Sequence, residues 1–198
     1  MENDVLTVAT IYKEGDGFTE EYVTRLEKNV AEHMHAPYNF EVVLPTRELP
    51  PNTKGFWIKT ELFKKGRFSG PVVFLDLDMI IVDDVTEMFT YGHKFTMATN
   101  WAKNPGPNST FMAWHGKTDL SNLDTVVTKE LVGKYLGSGS QLWMYRNVKL
   151  PVTFIDELFP NSIVSYKMHV QNKQLPPDAK IVAFHGRPRP HEVDWKLP

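Results

Sequence analysis

The 198-residue chain lacks three features, each of which would point to a particular class of protein. It has no cysteine, which excludes disulfides, cysteine–zinc sites and thiol catalysis. Its formal net charge is only −2, whereas dedicated nucleic-acid binders usually carry a basic excess. No apolar run approaches the roughly 18 residues of a membrane helix, and the first residues do not resemble a signal peptide. We therefore expect a soluble cytoplasmic protein.

The composition and the order of segments predict an α/β domain. Hydrophobic residues make up 41% of the chain and charged residues 23%, which is typical of a globular protein. Strands are expected over Val5–Tyr12, Phe40–Leu44, Val72–Val82, Phe95–Trp101, Thr110–Trp114, Ile163–Met168 and Ile181–Phe184. Helices are expected after the cap residue Thr19, over Ile58–Lys65, from Ser121 to Tyr135, and over Gln141–Val148. This alternation predicts one domain over residues 1–198, with helices on both faces of a sheet.

Two aspartates interrupt a long apolar run in the segment PVVFLDLDMIIVDD. If Val72–Val82 is one strand, Asp76 and Asp78 are two residues apart and their side chains point to the same face. Two such carboxylates repel each other, and a divalent cation such as Mg²⁺ or Mn²⁺ is a suitable partner for them. The alternative is that the strand ends at Asp76 and the carboxylates are solvated. The apolar run Met79–Val82 argues against that alternative.

The segment IVAFHGRPRPHE contains further candidate ligands. His185 ends an apolar stretch, and a neutral imidazole there could be a third metal ligand. Arg187 and Arg189 alternate with prolines, which reduce the entropy lost when a loop holds a ligand, and guanidinium groups match phosphate oxygens. The alternative is an exposed loop with two solvated arginines.

A basic stretch precedes the aspartate segment. Between residues 54 and 67 the chain has five basic residues and one acidic residue, Glu61, giving a local charge of about +4. The five basic residues are Lys54, Lys59, Lys64, Lys65 and Arg67. Such a run is usually a solvated face, but here one member could reach a phosphate group bound near the aspartates.

The order of six motifs resembles a known family of enzymes. The motifs are FWIKTELF, VVFLDLDMIIVDDV, NSTFMAW, GSQLWMY, IVSYKMH and FHGRPRPHE. Together they resemble nucleotide-sugar glycosyltransferases of the GT-A fold, closest to the glycogenin-like and bacterial galactosyltransferase-like group called family 8. The resemblance is to small bacterial and phage members, and it spans nearly the whole chain, from the first strand to His191.

The resemblance implies a single GT-A-like (Rossmann-like) domain whose sheet is mixed and mostly parallel. It implies transfer of a hexosyl or pentosyl group from a nucleoside-diphosphate sugar, usually a UDP-sugar, to an acceptor hydroxyl with retention of configuration. It also implies that Asp76 and Asp78 are a DxD pair, which binds Mn²⁺ (or Mg²⁺) together with His185. The metal and fixed cations would stabilise negative charge growing on the leaving diphosphate.

Several further residues match family positions around the donor. Lys59 matches a lysine near the donor, and Asn108 and Gln141 match residues that line the donor sugar. At the nucleoside and the diphosphate, the implied contacts are Thr10 and Tyr12, at the end of the first strand, and Arg187 or Arg189. The resemblance leaves the acceptor open among a glycan, a lipid, a protein and a modified nucleic-acid base.

The chain departs from the family pattern at three positions. Ser140 stands where the family often has aspartate, in the sequence Gly-Asp-Gln. His191 stands where larger members have a lysine, so that Arg187 or Arg189 would have to replace it. Thr110 replaces the glycine that usually follows Asn-Ser. The length also leaves little room for an acceptor domain, so we expect a shallow acceptor cleft or a partner.

Two other functions are compatible with parts of the pattern. The string FLDLD is similar to the aspartate motif of haloacid-dehalogenase-like phosphatases, in which the first aspartate is a nucleophile. That motif is expected near the amino terminus with a small residue or threonine after it, whereas here 75 residues precede Asp76 and Met79 follows Asp78. The second alternative is a non-catalytic module that binds a nucleotide sugar, because fold does not guarantee activity.

Overall fold

The computed structural model describes residues 4–15, 17–102, 105–137 and 139–193. The strands in these ranges are β1 (Leu6–Ile11), β2 (Tyr38–Val43), β3 (Pro71–Leu75), β4 (Met79–Ile81), β5 (Phe95–Thr99), β6 (Pro107–His115), β7 (Thr153–Phe154), β8 (Ile163–Ser165) and β9 (Ile181–Ala183). The α-helices are α1 (Glu20–His33), α2 (Thr86–Thr90), α3 (Lys129–Lys134), α4 (Gly139–Asn147) and α5 (Ile155–Leu158). None of the helices in these ranges combines the length and the apolarity needed to cross a bilayer.

The main sheet has six strands in the order β2-β1-β3-β6-β5-β7. The β1–β2, β1–β3 and β5–β7 pairs are parallel, whereas β6 runs antiparallel to both β3 and β5. A second sheet has three strands in the order β4-β9-β8. The expected α/β class, with a mixed and mostly parallel main sheet, is confirmed.

Side-chain alternation along β3 explains why both faces of the main sheet are covered. Val73 and Leu75 pack into one apolar cluster with Leu26 of α1. Val72 and Phe74 pack into the cluster on the other face, which includes Trp57. A strand that is buried on both faces reads as a continuous apolar run, as this segment does.

The prediction of one strand over Val72–Val82 is wrong. β3 ends at Leu75, the chain turns at Asp76, and β4 starts at Met79 in the second sheet. The Asp76 amide donates to the Thr110 carbonyl at 2.9 Å, and the Met79 amide donates back to the Asp76 carbonyl at 3.2 Å. The apolar residues on the two sides of the turn therefore serve two different sheets, which the sequence pattern cannot distinguish from one long strand.

Other element boundaries also differ from expectation. The helix predicted from Ser121 to Tyr135 is instead a short 3₁₀ turn, Ser121–Leu123, followed by α3. The hydroxyl of Thr128 accepts a bond from the Leu131 amide, so the effective helix cap is Thr128.

Three further predicted elements differ from those in the structure. The strand predicted over Ile163–Met168 ends at Ser165, whose hydroxyl caps a π-helical turn. The helix expected over Ile58–Lys65 is a nine-residue 3₁₀ helix, Gly55–Phe63. Thr19 does precede α1, but its side chain makes no capping hydrogen bond.

Candidate functional site

A cavity of about 920 Å³ opens where β1 and β3 end. Ligands of open α/β sheets bind in this position, beyond the carboxyl ends of the strands. Six of the predicted site residues line the cavity: Lys59, Asp76, Asp78, Asn108, Gln141 and His185. They come from five separate segments of the chain, so the fold brings together residues that the sequence alone could only associate by resemblance.

Lys59 holds the first aspartate. Its side chain is buried, and Nζ donates to Asp76 Oδ2 at 2.7 Å, to the Ser109 carbonyl at 3.0 Å and to Ser109 Oγ at 3.2 Å. An ammonium group has three hydrogens, so these three bonds use its full donor capacity. Burial raises the pKa of Asp76, although the Lys59 charge opposes this change. In this arrangement Lys59 fixes Asp76 and has no hydrogen left for a phosphate.

Asp78 has a different environment. Burial and the neighbouring Asp76 carboxylate raise the pKa of Asp78 to about 7, and Lys59 and Arg189 oppose that rise. Within the described ranges no basic group forms an ion pair with Asp78. The two carboxylates share the cavity because the chain turns between them, and not through strand alternation as the sequence suggested.

Arg25 supports this turn from behind. Its Nη2 donates to the carbonyl of Leu77, the residue between the two aspartates, at 2.9 Å. Its guanidinium lies 4.4 Å from the centre of the Tyr22 ring. The Nε atom is buried and has no hydrogen-bond partner among the described residues. Arg25 therefore fixes the backbone of the turn that carries both carboxylates.

His185 is held by two neighbours. Its Nε2 lies 2.6 Å from Ser165 Oγ, and its ring stacks on Trp101 with centroids 4.9 Å apart. Burial lowers the pKa of His185, which favours the neutral imidazole that a metal ligand requires. Within the described ranges the structure gives Nδ1 no hydrogen-bond partner.

The donor set suits a divalent cation in its chemistry. Two carboxylates face one cavity, and within the described ranges only Asp76 forms an ion pair with a basic side chain. Oxygen ligands with an imidazole suit Mn²⁺, and carboxylates suit Mg²⁺. The described side chains nevertheless include no group of three or more His, Cys, Asp or Glu that is already close enough to hold a metal ion. Asp76, Asp78 and His185 share a cavity without forming a preassembled triad.

The start of α4 forms another part of the wall. Gln141 lines the cavity and is half-buried, as is Asn108, whose Oδ1 accepts a bond from the Thr110 amide at 2.9 Å. Ser140 is buried, and its hydroxyl donates to the Phe56 carbonyl at 3.1 Å. Ser140, which stands where the resembled family often has aspartate, thus makes a structural contact.

Four residues that were predicted to contact the donor do not line the cavity: Thr10, Tyr12, Arg187 and Arg189. The Thr10 hydroxyl is buried and donates to the Leu75 carbonyl at 2.9 Å, and Tyr12 is partly buried against the core cluster that includes Leu26 of α1. In their place, Ile11 and Lys13 line the wall at the end of β1.

The two arginines lie in different environments. Arg187 is exposed and pairs with Glu192. Arg189 donates to the Gly17 carbonyl and lies 4.3 Å from the centre of the Phe18 ring, and Phe18 lines the cavity. Arg189 is therefore the arginine of this loop that borders the site.

The basic stretch is not one solvated face. Lys59 is buried in the site, and Lys54 is exposed at the cavity wall. Arg67 Nε donates to the Glu61 carbonyl at 3.1 Å, whereas Lys64 and Lys65 are exposed. The basic residues of this stretch therefore lie in different environments and have different roles.

Sequence reasoning missed Phe56, Trp101 and Arg25 as site residues. Phe56 lies in the recognised FWIKTELF motif, and its position three residues before Lys59 was an available signal. Trp101 and Arg25 contact the site through the tertiary fold, 84 and 52 residues away in sequence from His185 and Leu77 respectively. A single sequence carries no signal for such contacts.

No protein-family model matches the sequence, and no curated protein matches it. Solved structures of glycosyltransferases are similar in fold. The galactosyltransferase LgtC, solved with donor and acceptor sugar analogs, gives a TM-score of 0.65 at 11% identity over 95% of this chain and 90% of LgtC. The glycosyltransferase GlyE of Streptococcus pneumoniae TIGR4 gives 0.62 at 11% identity, over 95% of this chain but only 56% of GlyE.

A third similar structure is a glycosyltransferase involved in glycosylation of the major capsid of PBCV-1. It gives a TM-score of 0.56 at 14% identity, over 95% of this chain and 96% of that chain. The chain spans little more than half the length of GlyE but nearly all of the other two. At these identities the similarity establishes the fold: the chain has the α/β fold of known glycosyltransferases.

Proposed function

We propose that the protein is a metal-dependent glycosyltransferase of the family 8 type, which moves a sugar from a nucleoside-diphosphate sugar to an acceptor hydroxyl with retention. UDP-sugars are the proposed donors. The observation that carries this proposal is the pair Asp76 and Asp78, whose carboxylates share one cavity while, among the described residues, only Asp76 forms an ion pair with a basic side chain. Two carboxylates so placed suit a cation that a diphosphate can share.

In this proposal Asp76, Asp78 and His185 hold Mn²⁺ or Mg²⁺. When bound, the cation supplies positive charge where the diphosphate leaves. The Ser165 hydroxyl orients the His185 ring, as expected for a residue behind a metal ligand. Because the three side chains do not form a preassembled cluster within the described ranges, we expect them to approach one another on binding.

The remaining residues bind and orient the donor. Lys59 keeps Asp76 in place and its charge lies beside the diphosphate, which favours the transition state through electrostatics. Arg189 and Lys13 are the proposed cations at the nucleoside-diphosphate end of the cavity. Gln141 and Asn108 are proposed to orient the sugar, since both have amide groups at the wall. These roles place the reaction between the aspartate turn and the start of α4.

The first test is thermal unfolding with UDP, GDP, ADP and CMP, each with and without Mn²⁺. A ligand at 100 times its Kd adds about 2.7 kcal/mol, which corresponds to roughly 5–10 °C for a chain of this size. We expect a shift with UDP that requires Mn²⁺. Asp78→Asn should abolish it while the protein stays folded. Asp83→Asn is the matched control, because Asp83 is an exposed aspartate that does not line the cavity.

Other outcomes would reject the proposal or part of it. A full UDP shift in the presence of EDTA would reject metal dependence, and no shift with any nucleotide would reject the donor class. Release of phosphate from a simple phosphomonoester, abolished in Asp76→Asn, would favour the phosphatase alternative. Tight UDP-sugar binding with neither transfer nor hydrolysis would favour a non-catalytic module. The anomeric configuration of a product, read by NMR, tests retention.

A further inference from the structure

An exposed aromatic ring forms part of the cavity wall. Phe56 is 38% exposed, although its neighbour Trp57 is 2% exposed. Eight large hydrophobic side chains are exposed in the described ranges, and three of them line this cavity: Phe56, Leu136 and Met168. Exposed apolar surface concentrated in one cavity marks a binding site more strongly than scattered apolar residues do.

The Phe56 ring is held in place by the start of α4. A Cβ atom on Gly139 would lie 2.5 Å from Cε2 and 2.7 Å from Cζ of Phe56, so the ring packs where only glycine leaves room. The φ angle of Gly139 is +65°, which also favours glycine. The Ser140 hydroxyl donates to the Phe56 carbonyl at 3.1 Å. Two consecutive residues, Gly139 and Ser140, thus fix the ring and the backbone of Phe56.

The ring also rests on a buried aromatic cluster. The Phe56 and Trp57 ring centroids are 6.5 Å apart, and Trp57 lies 6.1 Å from Trp143 of α4. A ring that is already immobile loses little conformational entropy when a ligand covers it. Phe56 therefore has the properties of a preformed stacking surface and not of a side chain exposed by chance.

The location of this surface suggests its ligand. Gln141, the residue after Ser140, lines the same cavity and is proposed to orient the donor sugar. The aspartate turn provides the charged groups that suit a diphosphate, whereas the Phe56 ring has neither a charge nor a hydrogen-bonding group. A second substrate that covers Phe56 must present a flat apolar face. The C–H face of a pyranose ring and an aromatic aglycone both do so.

We propose that Phe56 is the acceptor-binding residue, and that the acceptor is a glycoside that stacks an apolar ring face on it. This inference rests on the proposed transferase function. It assigns to Ser140 and Gly139 the role of positioning residues for Phe56. It also gives a physical reason for the serine in place of aspartate, because the hydroxyl anchors the backbone that carries the stacking ring.

The test measures binding of p-nitrophenyl β-galactoside and methyl β-galactoside by ligand-observed NMR, with UDP and Mn²⁺ present. We expect wild-type protein to bind the aryl glycoside, and Phe56→Ala to weaken it roughly tenfold to thirtyfold, as for loss of a stacked aromatic contact. Phe56→Tyr should restore binding. Leu44→Ala is the control, because Leu44 is an exposed hydrophobic residue outside the cavity.

The two glycosides distinguish the source of the stacking. Similar binding of both would assign stacking to the sugar ring, and binding of only the aryl compound would assign it to the aglycone. No binding of either, or equal binding by Phe56→Ala, would overturn the inference. Phe56→Leu, which keeps an apolar side chain but removes the flat ring face, provides a second variant if Phe56→Ala is unstable; it should weaken binding in the same direction.

The thermal shift with UDP and Mn²⁺ separates the two proposals. If it persists in wild type and in Phe56→Ala while glycoside binding is unaffected by the substitution, the acceptor inference alone fails. If wild type shows no such shift, the transferase proposal fails and the acceptor inference fails with it.

Discussion

Lys59 Nζ lies 2.7 Å from Asp76 Oδ2 and also donates twice to Ser109. This one ammonium group connects the 3₁₀ helix Gly55–Phe63, the turn after β3 and strand β6. It forms an ion pair with Asp76, whereas Asp78 has no ion-pair partner in the described ranges. The site therefore depends on a buried contact that also contributes to the stability of the fold.

Replacing Lys59 with methionine should destabilise the protein by about 3 kcal/mol, because removal of one partner leaves a buried charge uncompensated. Urea unfolding measures the change. In the double variant with Asp76→Asn the loss should be smaller than the sum of the two single losses, since the two groups interact directly. Lys64→Met, an exposed neighbour, should have little effect. Additive losses would show that the pair is not coupled.

Arg25→Met should weaken Mn²⁺-dependent UDP binding about tenfold, because the Leu77 carbonyl loses its donor and the turn between Asp76 and Asp78 loses its support. Isothermal calorimetry gives the Kd. Arg25→Lys should recover part of the affinity, which a purely packing role would not predict. Lys28→Met, on an exposed part of the same helix, is the control. Unchanged UDP affinity in Arg25→Met would contradict this role.

Much of the fold could be predicted from local pattern. The apolar β-branched residues of β1 and the period of Leu26 and Val30 in α1 specify their elements without tertiary information. The break at Asp76 could not be predicted, since the apolar residues Met79–Ile81 belong to a second sheet that forms through β9, about 100 residues later. Long-range pairing overrides local periodicity there.

For the candidate site, the residues at the wall could be predicted from the sequence, but their contacts could not. Residues at the cavity wall, such as Asp76 and Gln141, follow from motif order and resemblance. Their partners do not: nothing local indicates that Lys59 uses all its hydrogens on Asp76 and Ser109, or that Arg187 pairs with Glu192. A motif specifies which residues meet, whereas hydrogen-bond partners depend on packing across the fold.

The two arginines of the carboxy-terminal loop should behave differently. Arg189→Ala should weaken UDP binding severalfold, since Arg189 borders the cavity through Phe18 and its charge acts on Asp78. Arg187→Ala should leave binding unchanged, because its exposed side chain pairs with Glu192. Fluorescence or calorimetric titration of the two variants compares them directly. A larger loss in Arg187→Ala than in Arg189→Ala would reverse the assignment.

Glu61 provides a pH-dependent test of the fold near the site. It is 2% exposed, and its carboxylate accepts bonds from the Thr46 amide, the Thr46 hydroxyl and the Arg47 amide at 2.8–2.9 Å. Burial alone would raise the pKa of Glu61, but these hydrogen bonds outweigh burial and hold it below its ordinary value of 4.5. The ionised form is therefore the one that stabilises the folded state.

Because the folded-state pKa is lowered, this stabilisation is fully present above about pH 4.5 and is lost as the pH falls through the lowered value. Glu61→Gln should lose about 2 kcal/mol at pH 7, the usual effect of hydrogen bonds to a charged group. The stability gap between the variant and wild type should narrow below pH 4.5. Urea unfolding between pH 3.5 and 7 measures it, with the exposed Glu48→Gln as control. A gap independent of pH would show that the Glu61 charge does not stabilise the fold.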